Sequence, residues 1–156
     1  MARMLAALVV ALPMSTAVWT APLAAQDAQS SAETAAEARE AAEAADAWLE
    51  LIDEELYEES WEEAADMFRA MITVGAWAQQ ARRVRQQLGE SRGRELANAQ
   101  YSTDMPNAPP GEYVIVTYRG TFANMGEGRE VVIMFKQRDG IWRTASYSVQ
   151  PPTSRQ

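Results

Sequence analysis

Apolar residues recur at helical spacing between residues 45 and 56. They stand at the start of the region up to residue 92, which holds three of the five tryptophans. Steps of three and four residues place side chains on one face of a helix. The apolar positions of this predicted first helix are Ala45, Trp48, Leu49, Ile52 and Leu56. Acidic residues fill the positions between them. Burial of the large apolar side chains, at about 1.5–3 kcal/mol each, outweighs the repulsion along that acidic face.

A capping box predicts a second helix that starts at Ser60. The Ser60 hydroxyl can accept a hydrogen bond from the backbone near Glu63, and the Glu63 side chain can reach back to the Ser60 amide. Helical spacing continues through the apolar positions Trp61, Ala64, Ala65, Phe68 and Ile72.

A third helix is predicted over residues 74–88. Its apolar positions again alternate steps of three and four, at Val74, Trp77, Ala81, Val84 and Leu88. Gly89 is expected to end this helix, because glycine enters the left-handed region freely. At this spacing Trp77 is expected in the core rather than on a ligand-binding surface.

Beyond Gly89 the apolar period changes to two, which is typical of β-strands. The pattern predicts strands at residues 94–101, 112–122, 129–137 and 141–149. Three prolines within residues 104–111 favour a loop, and Asp139-Gly140 favours a hairpin turn. The chain is therefore expected to be an α+β fold, with two to three N-terminal helices packed on a curved antiparallel sheet of about four strands.

The two faces of the predicted sheet are both partly apolar. We expect one face to receive the helices, through Val131, Ile133, Phe135, Ile141, Ala145, Tyr147 and Val149. The opposite face is expected to be a mixed surface with Val132, Met134, Lys136, Trp142, Thr144, Ser146 and Ser148, and the strand at 112–122 is apolar on both sides. A second face that is half apolar is typical of a sheet with a partner or of a cavity-forming shape.

The N-terminus has the pattern of a secretory signal peptide over residues 1–25. Arg3 precedes a short apolar run, and Ala24-Ala25 offers small residues for cleavage. The run is too short for a spanning helix, and an uncleaved interfacial anchor is the alternative. We expect a periplasmic or secreted protein without a membrane segment after cleavage. Residues 26–40 are rich in Ala, Glu and Ser and are expected to form a disordered leader that becomes helical towards Glu40, before a single domain at 41–150.

Charge is unevenly distributed in this chain of net charge −8. Fifteen of the 22 acids lie in residues 27–66, and twelve of the 14 bases follow residue 66. The two regions can neutralise each other within the fold, or the basic surface can meet an acidic partner. Nucleic acid is a poor partner for so acidic a protein. No cysteine or histidine is present, which excludes disulfides, thiol catalysis and the commonest general base.

With these elements placed, the chain resembles the bacterial domain of unknown function 4019 family. The segments 57–61 and 140–143 carry the most specific similarity. The matching positions are Trp48, Leu49, Ile52, Asp53, Tyr57, Ser60, Trp61, Ala64, Ala65, Phe68, Trp77, Arg85, Gly89, Arg92, Tyr113, Tyr118 and Trp142. The family favours a glycine after the first helix, where this chain has Glu54-Glu55-Leu56. The resemblance implies an exported domain similar to the cystatin-like and nuclear-transport-factor-like cone folds, and no established activity.

Three functions are open at this point. The first is a non-catalytic binding or protein-interaction module, acting on an envelope protein or as a homodimer through Val114, Val116, Tyr118, Val132, Met134 and Trp142. The second is a small-ligand pocket or an isomerase-like enzyme in the cone, with Asp53 or Asp66 pointing inward. The third is a cation site in the acidic run 53–63, for which a solvated helix face is the simpler interpretation.

No catalytic residue, metal ligand or cofactor is predicted. The candidates for contact with a small molecule or a partner are Trp61, Trp77, Arg92, Tyr118, Met134 and Trp142. Arg92 follows Gly89, between the helices and the sheet. Its guanidinium is expected to clamp Asp53 or a backbone carbonyl, or else to bind an anionic ligand.

Overall fold

The structure is a computed structural model that describes residues 23–151. Within them lie four helices followed by four strands. The helices are α1 (Leu23–Asp53), α2 (Tyr57–Glu62), α3 (Asp66–Met71) and α4 (Val74–Leu88); the strands are β1 (Ser91–Ser102), β2 (Tyr113–Phe122), β3 (Gly126–Lys136) and β4 (Trp142–Gln150). The predicted α+β arrangement is confirmed. The closer likeness to cystatin-like cones stays a prediction, and most of the predicted signal peptide lies outside the described residues.

Helix α1 continues through the segment 26–40 that was expected to be a disordered leader. Alanine and glutamate have high helix propensity, and the last part of this segment contacts the sheet. Glu37 accepts hydrogen bonds from Lys136 Nζ at 2.7 Å and from Trp142 Nε1 at 3.2 Å. Further along, Ala41 and Ala45 are fully buried against the sheet. These small side chains let the helix approach the sheet closely. The pattern of large apolar residues does not reveal this contribution.

The predicted second helix is split into α2 and α3 and starts earlier than Ser60. Its N-cap is Leu56, so Ser60 lies inside α2 and forms no capping box. The helix is interrupted between α2 and α3 at Ala65, whose backbone is extended. The Ala65 amide donates to the carbonyl of Thr144 at 2.9 Å and so joins this turn to the edge of β4. Helix α4 has the predicted bounds, and Gly89 ends it with a φ of 77°.

The four strands form one open antiparallel sheet in the order β1-β2-β3-β4. Each strand pairs with the next along the chain, as expected for consecutive hairpins. Gly140 has a φ of 79° in the β3–β4 turn, which supports the hairpin predicted from Asp139-Gly140. Irregular register near Ala97 in β1 and near Ala145 in β4 shifts which residues face each side.

The helices cover the sheet face that was expected to be the mixed surface. Val132, Met134 and Trp142 are buried in the core with Val114, Val116 and Tyr118. Val131, Ile133 and Phe135 are half-buried on the other face, so their assignment was wrong. In β4 the assignment was partly right: Ala145 is buried and Tyr147 packs on the core, but Ile141 is 51% exposed.

The core is therefore formed between α1 and the covered face of the sheet, with α2, α3 and α4 closing one side. Trp48, Leu49 and Ile52 of α1 meet the aromatic residues of the other helices there. Over residues 23–151, no helix has the length and apolarity needed to cross a membrane.

Candidate functional site

Five of the six predicted contact residues belong to the core or pack against it. Trp77, Tyr118, Met134 and Trp142 are buried, and Trp61 is half-buried against the core. Their burial means that the proposed homodimer face, which used Tyr118, Met134 and Trp142, is covered by the protein's own helices. Only the sixth residue, Arg92, is exposed.

Two tryptophans of the core converge on Ser60. Trp48 Nε1 donates to the Ser60 carbonyl at 2.7 Å, and Trp77 Nε1 donates to its hydroxyl at 2.9 Å. The two tryptophan rings lie 6.0 Å apart, and Phe68 stands edge-on to Trp77 at 4.9 Å. The prediction of Trp77 as a core residue is confirmed, with 4% of it exposed.

Trp61 anchors the short helices to each other. Its Nε1 donates to the carbonyl of Ile72 at 2.7 Å, and the guanidinium of Arg69 lies 5.9 Å from its ring centre. The polar atom of the ring is thus used inside the fold, and its apolar part lies against the core.

The clamp on Asp53 is formed by Arg85 and Arg94, and Arg92 takes no part in it. Arg85 Nη2 donates to Asp53 Oδ1 at 2.6 Å, and Arg94 Nη1 donates to Oδ2 at 2.9 Å. The end of α1 is thereby joined to α4 and β1. The expected clamp is present, but the irregular start of β1 places Arg94 rather than Arg92 on the covered side.

Glu130 completes a buried charge cluster that the sequence interpretation missed. Its side chain is 0% exposed. Arg94 Nε donates to Oε2 at 2.6 Å, Tyr147 Oη donates to Oε1 at 2.8 Å, and Arg85 Nη1 lies 3.9 Å from Oε1. A signal was available: Glu130 stands two residues before Val132 and four before Met134, so it shares their buried face.

The cluster shifts the acidity of its neighbours. Burial raises the pKa of Tyr147 above its ordinary range, and the charge of Glu130 adds to the rise. Burial also raises the pKa of Tyr118, whose ring lies beneath the Arg94 guanidinium. Burial by itself lowers the pKa of Arg94, but the hydrogen bonds that Arg94 donates to Glu130 and Asp53 outweigh it and the net shift is upward. These upward shifts favour the neutral tyrosine hydroxyls and the charged guanidinium that are present at neutral pH.

The chemistry of the cluster is that of a structural clamp. Two carboxylates face two guanidiniums, and both oxygens of Glu130 are engaged by side chains of the fold. A cleft of about 480 Å³ opens beside it, lined in part by Asp53, Tyr57, Arg82 and Arg85. Of its charged groups, Asp53 and Arg85 pair with each other, and Arg82 stacks on Tyr57 at 5.5 Å.

The remaining acidic candidates lie on the surface. Asp66 is 75% exposed and pairs with Arg69, one helical turn away. The glutamates of the run 53–63 are exposed. Among residues 23–151 no group of three or more acids converges as metal ligands. The arrangement fits a solvated acidic surface.

The sheet face turned away from the helices, here called the outer face, has an uncharged centre. It consists of two neighbouring rows across the four strands. From β1 to β4 these rows are Gln100, Ile115, Ile133 and Ser146, and then Asn98, Thr117, Val131 and Ser148. Ile115, Val131 and Ile133 are half-buried and do not belong to the core.

The two ends of the outer face differ. At one end the proline-rich loop lies on the sheet: Tyr113 Oη donates to the carbonyl of Pro109, and a side chain at Gly111 would come within 2.5 Å of the Phe135 ring. At the other end lies a charged row with Glu95, Arg119 and Arg129 on adjacent strands. The uncharged centre thus has defined borders.

Comparison with known proteins supports the resemblance seen in the sequence. A search of curated proteins returns no match. A family model does match, and it covers well over half of the chain, including all four strands up to Tyr147. Because residues 44–147 match the model described as "Protein of unknown function (DUF4019)", the protein belongs to that family.

Proposed function

We propose that the protein is an exported, non-catalytic interaction module that binds another protein chain through the outer face. The observation that carries this proposal is the uncharged centre of that face. Charged residues make up 23% of the chain, yet none occupies the eight positions of the two rows. Solvated faces of antiparallel sheets ordinarily carry polar and charged side chains.

The composition of the outer face supports protein binding. Three β-branched aliphatic residues, Ile115, Val131 and Ile133, form its centre, and Ser, Thr, Asn and Gln surround them. Depletion of charge at the centre with a polar rim is typical of protein interfaces. The charged row at Arg119 and Arg129 adds a border that can orient a partner.

The covered face supports a binding role over an enzyme pocket in the cone. Trp48 and Ile52 of α1 belong to the same buried core as Val116 and Met134. The carboxylate of this face, Glu130, is enclosed by its ion pairs. A small-ligand or isomerase-like site would need an acid or base facing an open, dry cavity.

Export is supported by residues 1–25, with their basic start, short apolar run and Ala24-Ala25 cleavage signal. We expect the mature chain to start at Gln26. Intact-mass measurement of the protein from the cell envelope checks this. A mass that includes the N-terminal methionine and the apolar run would contradict cleavage and favour an interfacial anchor.

Site-specific photocrosslinking in living cells tests the binding role. A photoreactive residue in place of Ile133 is expected to give a discrete protein adduct. The same residue in place of Gln79, exposed on α4, is the control and is expected to give none. Absence of an adduct at 133, or equal adducts at both positions, would overturn the proposal.

A further inference from the structure

We propose that the chain bound by the outer face is a second copy of this protein, so that two copies pack sheet against sheet. The inference rests on the proposed function and specifies its partner. It is carried by the distribution of charge over the molecule, together with the size and borders of the outer face.

The outer face is compatible with itself. In a twofold-symmetric contact the same patch faces its own copy, so a charge at the centre meets its like. The centre has none: its side chains are aliphatic residues, hydroxyls and amides. Aliphatic groups can pack against each other, and hydroxyl and amide groups both donate and accept hydrogen bonds. No partner of opposite charge is required.

The border of the outer face contains charges of both signs. Glu95 and Arg119 lie opposite each other on β1 and β2, and Arg129 and Glu127 follow on β3. Because this border contains both signs, a twofold copy can set an arginine against a glutamate. An all-acidic or all-basic border would instead repel its own image.

The rest of the molecule disfavours other self-contacts. Fifteen of the 22 acids lie in residues 27–66, and the run 54–63 is mostly exposed on the helical side. Two copies that approach by their helices bring these charges together. Sheet-to-sheet packing directs both helical sides away from each other, which lowers the repulsion between two chains of net charge −8.

The size of the outer face suggests a reversible dimer. From the loop at one border to the charged row at the other, each strand contributes about six residues at about 3.4 Å rise. With four strands at about 4.8 Å spacing, the footprint is roughly 400 Å². Specific interfaces bury about 800 Å² of accessible surface per partner, and weak ones less. The footprint therefore places this dimer at the small end, with an association that depends on concentration.

Sedimentation velocity of the purified protein over a wide concentration range tests the inference. The mass is expected to rise from monomer to dimer. In the twofold contact, Ile133→Lys places one lysine from each copy in the interface. The substitution is expected to weaken association by roughly a hundredfold or more. The matched control, Ile141→Lys, changes an aliphatic residue that is 51% exposed outside the outer face. It is expected to dimerise as the wild type does.

A second variant separates loss of the interface from loss of the fold. Ser146→Arg changes a polar position at the rim and is expected to weaken the dimer with an unchanged circular dichroism spectrum. A wild-type protein that stays monomeric, or a dimer that persists in both Ile133→Lys and Ser146→Arg, would overturn the inference.

The photocrosslink at position 133 distinguishes this inference from the proposed function. An adduct of twice the chain mass supports both. An adduct with a different protein retains the binding role but overturns the self-association. Absence of any adduct overturns both.

Discussion

Ser60 shows how one small side chain orders the core. Its hydroxyl donates to the Tyr57 carbonyl at 2.8 Å and accepts from Trp77, while its carbonyl accepts from Trp48. A serine followed three residues later by glutamate predicts a helix cap. Here the hydroxyl oxygen accepts from the Trp77 indole N–H instead, and the Ser60 carbonyl accepts from Trp48. Local sequence can suggest that Ser60 makes hydrogen bonds, but only the packing of α1 on α4 decides with which groups.

We predict that Ser60→Ala destabilises the fold. The substitution leaves Trp77 Nε1 buried without its acceptor, and an unsatisfied buried donor costs about 1–3 kcal/mol. Urea denaturation followed by tryptophan fluorescence measures the change. Glu59→Gln, at an exposed position of the same helix, is the control and should shift stability by less than about 0.5 kcal/mol. Equal stability of the two variants would contradict the role assigned to the hydroxyl.

Glu55 occupies a backbone position that suits glycine. Its φ is 62°, and the bonds Leu56 N–H to Leu51 O and Glu55 N–H to Ile52 O end α1 in a Schellman motif. This chain meets the left-handed requirement with a strained residue.

We predict that Glu55→Gly stabilises the protein by about 0.5–1 kcal/mol. Relief of the left-handed strain, roughly 1–2 kcal/mol, exceeds the extra chain entropy that glycine loses on folding. Thermal and urea unfolding measure the gain. The neighbouring change Glu54→Gly, at a position without positive φ, should destabilise. If both variants lose stability alike, the strain argument fails.

At the scale of elements, β3 shows where a strand pattern stops being informative. Val131 and Ile133 alternate with Val132 and Met134, so both faces are apolar. Period two identifies the strand but leaves open which face the helices cover. The answer depends on contacts with Ala45 and Trp48 of α1, residues that lie far away in the chain. In β4 the irregularity near Ala145 shifts the alternation as well.

Other elements followed directly from local chemistry. The bounds of α4 and its end at Gly89 were predicted, because apolar period and glycine placement agree there. The hairpin at Gly140 was predicted for the same reason. The cluster around Glu130 was not, since its members come from α1, α4, β1, β3 and β4. A site assembled from so many elements leaves no motif in one segment.

We predict that Glu130→Gln costs about 3 kcal/mol of stability or more. The change leaves part of the Arg94 charge uncompensated in a buried setting, and breaking a buried ion pair from one side costs about 3–5 kcal/mol. Glu127→Gln, exposed on the same strand, is the matched control. Chemical denaturation of both variants measures the difference. A Glu130→Gln protein as stable as the control would show that the cluster does not hold the elements together.

At the scale of the whole molecule, the two oppositely charged regions partly neutralise each other. Asp53 and Glu37 of α1 pair with Arg85, Arg94 and Lys136 from the later part of the chain. The exposed glutamates of 54–63 remain in solvent. The uneven charge seen in the sequence thus joins the helices to the sheet, and it leaves one side of the molecule acidic.

The absence of histidine and cysteine predicts a flat pH dependence near neutrality. Ordinary carboxyl groups titrate near pH 4 and tyrosines near pH 10, which leaves no ordinary side chain between about pH 6 and 9. We expect a constant free energy of unfolding over that range in urea titrations. A slope there would reveal a strongly shifted buried group and contradict the expectation.

The free energy of unfolding should fall at both strongly alkaline and strongly acidic pH. Burial raises the folded-state pKa of Tyr118 and Tyr147. Their stabilisation is therefore complete below the unfolded pKa of about 10 and is lost as pH rises above it. The hydrogen bond from Lys136 lowers the pKa of Glu37, so that contribution is present above about pH 4.3 and lost in acid. Tyr118→Phe should reduce the alkaline loss; an unchanged loss would exclude Tyr118 as its source.

The contact of Glu37 with Lys136 and Trp142 also bears on the order in which the chain acquires its structure. The strands pair with their neighbours in sequence, so the sheet can grow by successive hairpins. The partners of Glu37 lie 99 and 105 residues away, and such distant contacts form late. The N-terminal part of α1, although synthesised before the strands, is thus the last to find its place. Until β4 has been made, the sheet has no complete surface on which that helix can close.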